Sequence, residues 1–120
     1  QFLTRTTSNK DTITEFESLL KKRFSSKYLE EKGIPSVKEL AHALGYSTYY
    51  LSDLLKKETG KSTQDFIHEH LLQRAKDLLI STNHPVNQIG YQLGFEYPAH
   101  FSKFFKNKAG MTPSKYRSTS

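Results

Sequence analysis

The apolar residues between residues 37 and 55 are spaced for two short helices joined by a tight turn. The first helix has apolar residues at i, i+3, i+4 and i+7, namely Val37, Leu40, Ala41 and Leu44. This spacing places them on one face of a helix. Ser36 and Glu39 have the spacing of a capping box and predict where this helix begins. Gly45 predicts where it ends, because glycine readily adopts the left-handed conformation. The second helix follows with an inner face of Leu51, Leu54 and Leu55.

The same pattern returns about 50 residues later, which indicates one supersecondary unit built twice. The first helix of this copy repeats the apolar face and ends at a glycine: Val86, Ile89, Gly90, Leu93 and Gly94. The second helix carries Phe101, Phe104 and Phe105 where the first copy carries its three leucines. We therefore expect these rings to belong to the core. A helix, a glycine-containing turn and a second helix make a helix-turn-helix unit.

The outward faces of the two second helices differ from one copy to the other. At roughly 100° per residue, the outward side chains of the first copy are Tyr49, Ser52, Asp53 and Lys56, flanked by Tyr50 and Lys57. Those of the second copy are Ala99, Ser102, Lys103 and Lys106, flanked by His100 and Asn107. Side chains of these kinds read base edges in the major groove of DNA. The alternative is a merely solvated helix face, which two such faces on one duplicated scaffold disfavour.

The charge of the chain favours a polyanionic partner. There are 18 Lys and Arg against 12 Asp and Glu, which gives a net charge of +6. Residues 97–120 contain basic side chains and no acid, namely Lys103, Lys106, Lys108, Lys115 and Arg117. We therefore expect phosphate contacts to be strongest in the second unit, with a matching dependence on salt.

Four segments of the second unit together resemble the C-terminal signature of the AraC/XylS family of bacterial transcription regulators. They are Gly94-Phe95, Phe101-Ser102-Lys103-Phe104-Phe105-Lys106, Gly110-Met111-Thr112-Pro113 and Tyr116-Arg117. The first unit, from Gly45 to Gly60, is similar to the first helix-turn-helix of that family. The resemblance covers residues 14–117, nearly the whole chain.

The resemblance implies an all-α fold of about seven helices, with two helix-turn-helix subdomains joined by a long connecting helix. The expected segments are a linker or cloning remnant (1–11), the first subdomain (12–62), the connecting helix (63–80) and the second subdomain (81–120). A capping box from Thr12 to Glu15 predicts where the first helix begins. The implied function is sequence-specific binding of double-stranded DNA that regulates bacterial transcription. The two recognition helices would enter successive major grooves about 34 Å apart.

Carried over residue by residue, the resemblance implies base contacts from Tyr49, Tyr50, Ser52 and Asp53 in the first recognition helix, and from Pro98, Ala99, His100, Ser102 and Lys103 in the second. We expect phosphate contacts from Ser47, Lys56, Lys57, Lys106 and Lys108. Asp53 stands where better-known members often have a basic residue. Phosphates would repel it unless it accepts a hydrogen bond from cytosine N4 or is held by Lys56 or Lys57.

The resemblance also implies partners outside this chain. An N-terminal domain that senses an effector or forms dimers is expected, so the chain is interpreted as the C-terminal part of a longer ligand-responsive regulator. RNA polymerase is an expected partner of activators in this family, although no residue can be assigned to that contact. The longest apolar runs are too short to span a bilayer and no signal peptide is present, so we expect a cytoplasmic protein without membrane contact.

Catalysis finds little support in the sequence. There is no cysteine, and no nucleophile motif or glycine-rich phosphate loop is present. His68 and His70 are two residues apart, which sends them to different faces of a helix and disfavours a shared metal ion. We therefore expect no enzyme activity, no metal and no cofactor.

Two other functions remain open from the sequence. The chain could be a protein-interaction module that kept the fold and lost DNA binding, a reading that Asp53 favours and the cluster of Lys103, Lys106 and Lys108 opposes. It could also be a basic RNA-binding module, although it lacks a sheet with exposed aromatic residues or another platform for single strands. Salt-sensitive, sequence-selective binding to duplex DNA would separate all three.

Overall fold

The computed structural model describes the backbone of residues 2–120 and the side chains of residues 9–120; Gln1, at the start of the expected linker, lies outside the described residues. Within residues 2–120 there are eight helices and no strand. They are α1 (Phe2–Arg23), α2 (Ser26–Lys32), α3 (Val37–Ala43), α4 (Thr48–Thr59), α5 (Thr63–Ser81), α6 (Val86–Gln92), α7 (Pro98–Ala109) and α8 (Pro113–Ser118). The expected all-α class is confirmed, with α5 as the long connecting helix.

By packing, the described chain forms two units that do not follow chain order. The first unit contains α1 and Pro35–Ile67, and the second contains Phe24–Ile34 and His68–Ser120. Helix α2 therefore belongs with the second unit. The ring of Phe24 lies 5.6 Å from that of His70, and the side chain of Arg74 donates a hydrogen bond to Ser26. The subdomain boundaries expected from the sequence stay predictions.

The turn that joins the two helices of each helix-turn-helix has the same hydrogen bonds in both units. Gly45 and Gly94 have positive φ angles of 80° and 98°. The amide of each glycine donates to the carbonyl three residues earlier, at 3.0 Å in both cases. The next amide, of Tyr46 or Phe95, donates to the carbonyl five residues earlier, at 2.9 and 3.0 Å. This pattern ends α3 and α6 and sets the start of α4 and α7.

The cores of the two units use different side chains at equivalent positions. Leu51 and Leu55 are fully buried in the first unit, as are Phe101 and Phe105 in the second. Phe104 is half-buried, with its ring 5.7 Å from that of Phe95. The expectation that these phenylalanines belong to the core is therefore confirmed for Phe101 and Phe105, and Phe104 lies at the edge of the same ring cluster.

The larger aromatic core of the second unit is matched by a smaller neighbour. Gly90 stands where the first unit has Ala41, and Phe101 stands where it has Leu51. A Cβ atom at Gly90 would lie 3.1 Å from the Cβ of Phe101, closer than ordinary van der Waals contact. The absence of a side chain at residue 90 is what lets α6 approach α7.

We expect Gly90→Ala to destabilise the protein by about 1 kcal/mol, because overpacking outweighs the gain in helix propensity. Phe101→Leu alone should cost more, since it opens a cavity. The double variant recreates the Ala41 and Leu51 pair of the first unit. Leucine keeps the Cβ atom of residue 101, but the space left by the ring lets that side chain shift away from residue 90, so the double variant should be about 1 kcal/mol more stable than the sum of the single effects predicts. Urea unfolding of the four proteins measures this coupling, and strictly additive effects would contradict it.

Neither of the two capping boxes expected from the sequence is complete in the structure. Helix α1 begins at Phe2, so a start at Thr12 is wrong. Thr12 lies within α1 and is buried. Its hydroxyl lies 3.1 Å from that of Tyr46, and this hydrogen bond satisfies the buried polar group. At α3, Ser36 does accept from the amide of Glu39 at 3.0 Å. The carboxylate of Glu39, however, pairs with the buried guanidinium of Arg23 instead of completing the box.

Candidate nucleic-acid interface

The first turn of α4 exposes one tyrosine fully and a second in part. The hydroxyl of Ser47 accepts a hydrogen bond from the amide of Tyr50 at 3.0 Å and so caps the helix. Tyr49 is 80% exposed, whereas Tyr50 is 45% exposed and its ring lies 4.8 Å from that of Tyr46. Tyr46 is in turn held by Thr12 of α1. Tyr49 therefore has the freer side chain of the two, and Tyr50 is fixed against its own unit.

The middle of the α4 face is engaged by neighbours within the first unit. The hydroxyl of Ser52 lies 3.2 Å from that of the buried Thr63 at the start of α5. The carboxylate of Asp53 forms an ion pair with Lys57 at 3.1 Å, one turn further along α4. Lys56 is exposed. Of the two lysines expected to hold Asp53, the structure therefore places Lys57 against it.

The first turns of α7 carry the five residues expected to contact bases in the second unit. Pro98 is the first residue of the helix and is half-buried, and Ala99 follows it exposed. His100 is exposed, with its ring 5.3 Å from that of Tyr97 at an interplanar angle of 78°. Ser102 is half-buried and Lys103 exposed. The set lies on the outward face and the flank of one helix, as the helical period predicts.

The basic side chains of α7 are free of ion pairs with the acidic side chains of residues 9–120. Lys103, Lys106 and Lys108 are exposed and form no ion pair in the described part of the chain. Lys106 shares the outward face with Lys103. Lys108 lies one heptad after Phe101, so it leaves the helix on a different side from these two lysines. The charge available on α7 thus exceeds that on α4, where Asp53 neutralises Lys57.

Two residues have roles that the sequence reasoning did not assign. Arg117 is one of the basic residues of the C-terminal segment, but its guanidinium donates to the carbonyls of Leu79 and Thr82 at 2.9 and 3.3 Å and closes the end of α5. Tyr97 immediately precedes α7 and is 56% exposed. The sequence repeat could have identified Tyr97, because Tyr97 precedes α7 as Ser47 precedes α4.

The described residues provide neither a metal-binding cluster nor a membrane-spanning helix. Among them, no group of three or more His, Cys, Asp or Glu side chains is placed to hold a metal ion. None of the helices within residues 2–120 combines the length and the apolar character that a membrane span requires.

Two units with the same glycine turn, each presenting an exposed helix face, define a protein with a duplicated helix-turn-helix. A family model described as a helix-turn-helix domain matches residues 40–119. The chain belongs to the AraC/XylS family of bacterial transcription regulators and has the helix-turn-helix DNA-binding domain of that family. Family and fold are those of DNA-binding transcription regulators, which are typically not enzymes.

Individual relatives agree with this assignment. The chain is 36% identical over 84 residues to the uncharacterized HTH-type transcriptional regulator YobQ of Bacillus subtilis, which covers 70% of this chain and 35% of YobQ. It is 35% identical over 86 residues to the xylose operon regulatory protein of Escherichia coli K12, covering 72% and 22% of the two chains. A transcriptional regulator of Chromobacterium violaceum, described as containing an AraC-type DNA-binding domain, has a TM-score of 0.77 at 28% identity over 93% and 94% of the two chains. The chain thus spans about a third of the length of YobQ.

Proposed function

We propose that this chain binds double-stranded DNA in a sequence-specific manner and regulates bacterial transcription, with α4 and α7 entering successive major grooves. The observation that carries this proposal is the exposed face of each helix, which follows the same hydrogen-bonded glycine turn in both units. Helices that follow such turns enter the major groove in other helix-turn-helix proteins. In chain order, the proposed subdomains are residues 12–62 and 81–120, with residues 63–80 between them; α2 lies within the first range and packs with the second unit.

The rest of the regulator is also a proposal. Because the chain matches 35% of YobQ and 22% of the xylose operon regulatory protein, we propose that it is the C-terminal domain of a longer protein. The remaining part would sense an effector or form dimers, and RNA polymerase would be a further partner. The protein would act in the cytoplasm, where bacterial DNA lies, and would not be an enzyme.

In the first unit we propose that Tyr49 is the main base-contacting residue. Its exposure and the absence of a contact partner among the described side chains support this role, whereas Tyr50 and Ser52 are held within the unit and would contact DNA at the edge of the interface. Ser47 caps α4 through its oxygen and keeps its hydroxyl proton for a phosphate. Asp53 would accept a hydrogen bond from cytosine N4 only at the expense of its pair with Lys57.

In the second unit we propose that hydrogen bonds to bases come from His100, Lys103 and Ser102. Ala99 would contact a thymine methyl group, and Pro98 would pack at the rim of the groove. Lys106 and Lys108 would contact phosphates, with Lys106 on the same face as the base-reading residues. The exposure of the three lysines and their lack of ion pairs within residues 9–120 support these roles.

The experiment that tests the proposal is selection of this domain against a pool of random duplexes, followed by rebinding of the enriched sites at two salt concentrations. We expect two short motifs about 10 base pairs apart, which is one helical turn. Salt-sensitive binding without an enriched sequence would contradict sequence-specific reading. No binding even at low salt would contradict the DNA-binding function of this domain and favour a protein-interaction module.

We expect Tyr49→Ala and His100→Ala each to change which sequence is enriched. Loss of a base contact lowers discrimination at the contacted position by about 1–3 kcal/mol, and it leaves the number of neutralised phosphates unchanged. Each variant should therefore relax one motif only, Tyr49→Ala that of α4 and His100→Ala that of α7, at an unchanged salt dependence. Tyr91→Ala is the matched control, since Tyr91 is 55% exposed on α6. The same loss in all three variants would contradict the assignment.

A further inference from the structure

Helix α7 begins after a residue that does not cap it. Five other helices begin after a Ser or Thr whose hydroxyl accepts a hydrogen bond from an amide of the first turn, namely Ser25, Ser36, Ser47, Ser62 and Thr112. Helix α6 follows Pro85, which cannot provide such a cap. Tyr97 takes this position in α7 and makes no such bond. Its side chain lacks the short oxygen acceptor that an N-cap requires. Tyrosine is therefore an unfavourable choice for the helix itself, and such local conflicts concentrate at functional sites.

The ring of Tyr97 lies at the surface and is held in place by His100. The side chain is 56% exposed. The ring of His100 stands edge-on to it at 5.3 Å, and the amide of His100 donates to the carbonyl of Tyr97 at 3.0 Å. The backbone of Tyr97 is extended, with φ −126° and ψ 130°, so the side chain of Glu96 leaves on the opposite side. An oriented phenol thus stands beside a proposed base-contacting residue.

We propose that the Tyr97 hydroxyl donates a hydrogen bond to a backbone phosphate of the DNA strand beside the groove that α7 enters. Tyr97 stands at the repeat position of Ser47, for which a phosphate contact is proposed in the first unit. The phenol is a donor that reaches further than a serine hydroxyl, and hydroxyl donors are common partners of DNA phosphates. Tyr97 is in this view a positioning residue that fixes α7 on the duplex. The inference rests on the proposed function.

The test is Tyr97→Phe, which removes only the hydroxyl and keeps the ring against His100. We expect an unchanged melting temperature and a loss of affinity of about 3- to 10-fold, less than a buried hydrogen bond to a charged phosphate would contribute, because water competes at this exposed position. The loss should be the same for the enriched duplex and for an unrelated duplex, because a phosphate contact carries no sequence information. The slope of affinity against salt should not change, since no charge is removed.

Tyr91→Phe is the matched control, because Tyr91 has the same exposure in the same unit and lies outside α7; it should bind as the unmodified protein does. Tyr97→Asn adds an N-cap, so it should raise the melting temperature by a few degrees while affinity falls at least as far as in Tyr97→Phe.

Unchanged affinity of Tyr97→Phe, a loss limited to one sequence, an equal loss in Tyr91→Phe, or a lower melting temperature of Tyr97→Asn would each overturn the inference. Failure of the proposed function is distinguishable from these outcomes, because the unmodified domain would then not bind the duplex at all.

Discussion

Gly94→Ala is expected to destabilise the second unit by roughly 3–5 kcal/mol, the largest effect of any single substitution considered for this protein. Gly94 has a φ of +98°, where alanine is strained. A Cβ atom there would also lie 2.9 Å from the Cα of Gly33 and 2.9 Å from the amide nitrogen of Ile34. Both are backbone atoms that no rotamer change can move. The loop after α2 and the turn before α7 would have to separate, and α7 would no longer be held in its native position.

Gly45→Ala is the matched control, because Gly45 occupies the same turn of the first unit. Its φ is +80°, and a Cβ atom would meet nothing within 4 Å. Only the conformational cost of about 1–2 kcal/mol should remain. Urea unfolding followed by circular dichroism compares the two variants, and duplex binding at matched temperature reports whether α7 is still presented. Equal losses of stability in the two variants would mean that the contact with Gly33 carries no energy.

This difference between the two glycines marks a limit of what the sequence predicts. The periodicity identifies both turn glycines and both apolar faces, because those signals are local. The sequence around Gly94 does not predict its contact with Gly33, because Gly33 is distant in sequence and follows a helix in the other half of the chain. The same holds for Arg23 and Glu39, whose pairing replaces a locally reasonable capping box. Local patterns determine the elements, whereas contacts between distant segments determine how each unit packs.

In the candidate interface, too, the sequence predicts some features and not others. The helical period alone assigns the outward faces of α4 and α7, and the exposure of Tyr49, Lys56, Lys103 and Lys106 agrees with it. What the period cannot give is which of those side chains are engaged inside the unit. Ser52 is bound to Thr63, a residue beyond the end of α4, and Tyr50 is packed on Tyr46. Arg117 looks like a surface cation in the sequence and is a helix cap in the structure.

The largest expected effect on function is that of the double variant Lys106→Ala/Lys108→Ala. Both lysines are exposed on α7 and form no ion pair within residues 9–120, so each can neutralise a phosphate. Each such contact contributes about 0.9 to the slope of log affinity against log salt, so the double variant should lower the slope by nearly 2. At about 0.15 M salt this corresponds to a loss of roughly 30-fold for every duplex. Fluorescence anisotropy over a salt series measures both quantities.

Lys21→Ala/Lys27→Ala is the control, since it removes the same charge from exposed positions on α1 and α2 and should change the slope far less. Asp53→Asn tests the opposite change, because it removes a negative charge from the proposed interface. It releases Lys57 from the ion pair at 3.1 Å, so affinity for unrelated duplexes should rise by about 5-fold and the slope should steepen by about 0.9. If the control matches the double variant, net charge alone governs binding. If Asp53→Asn leaves the slope unchanged, Lys57 does not reach a phosphate, and the asymmetry of charge between α4 and α7 does not govern how the two units hold DNA.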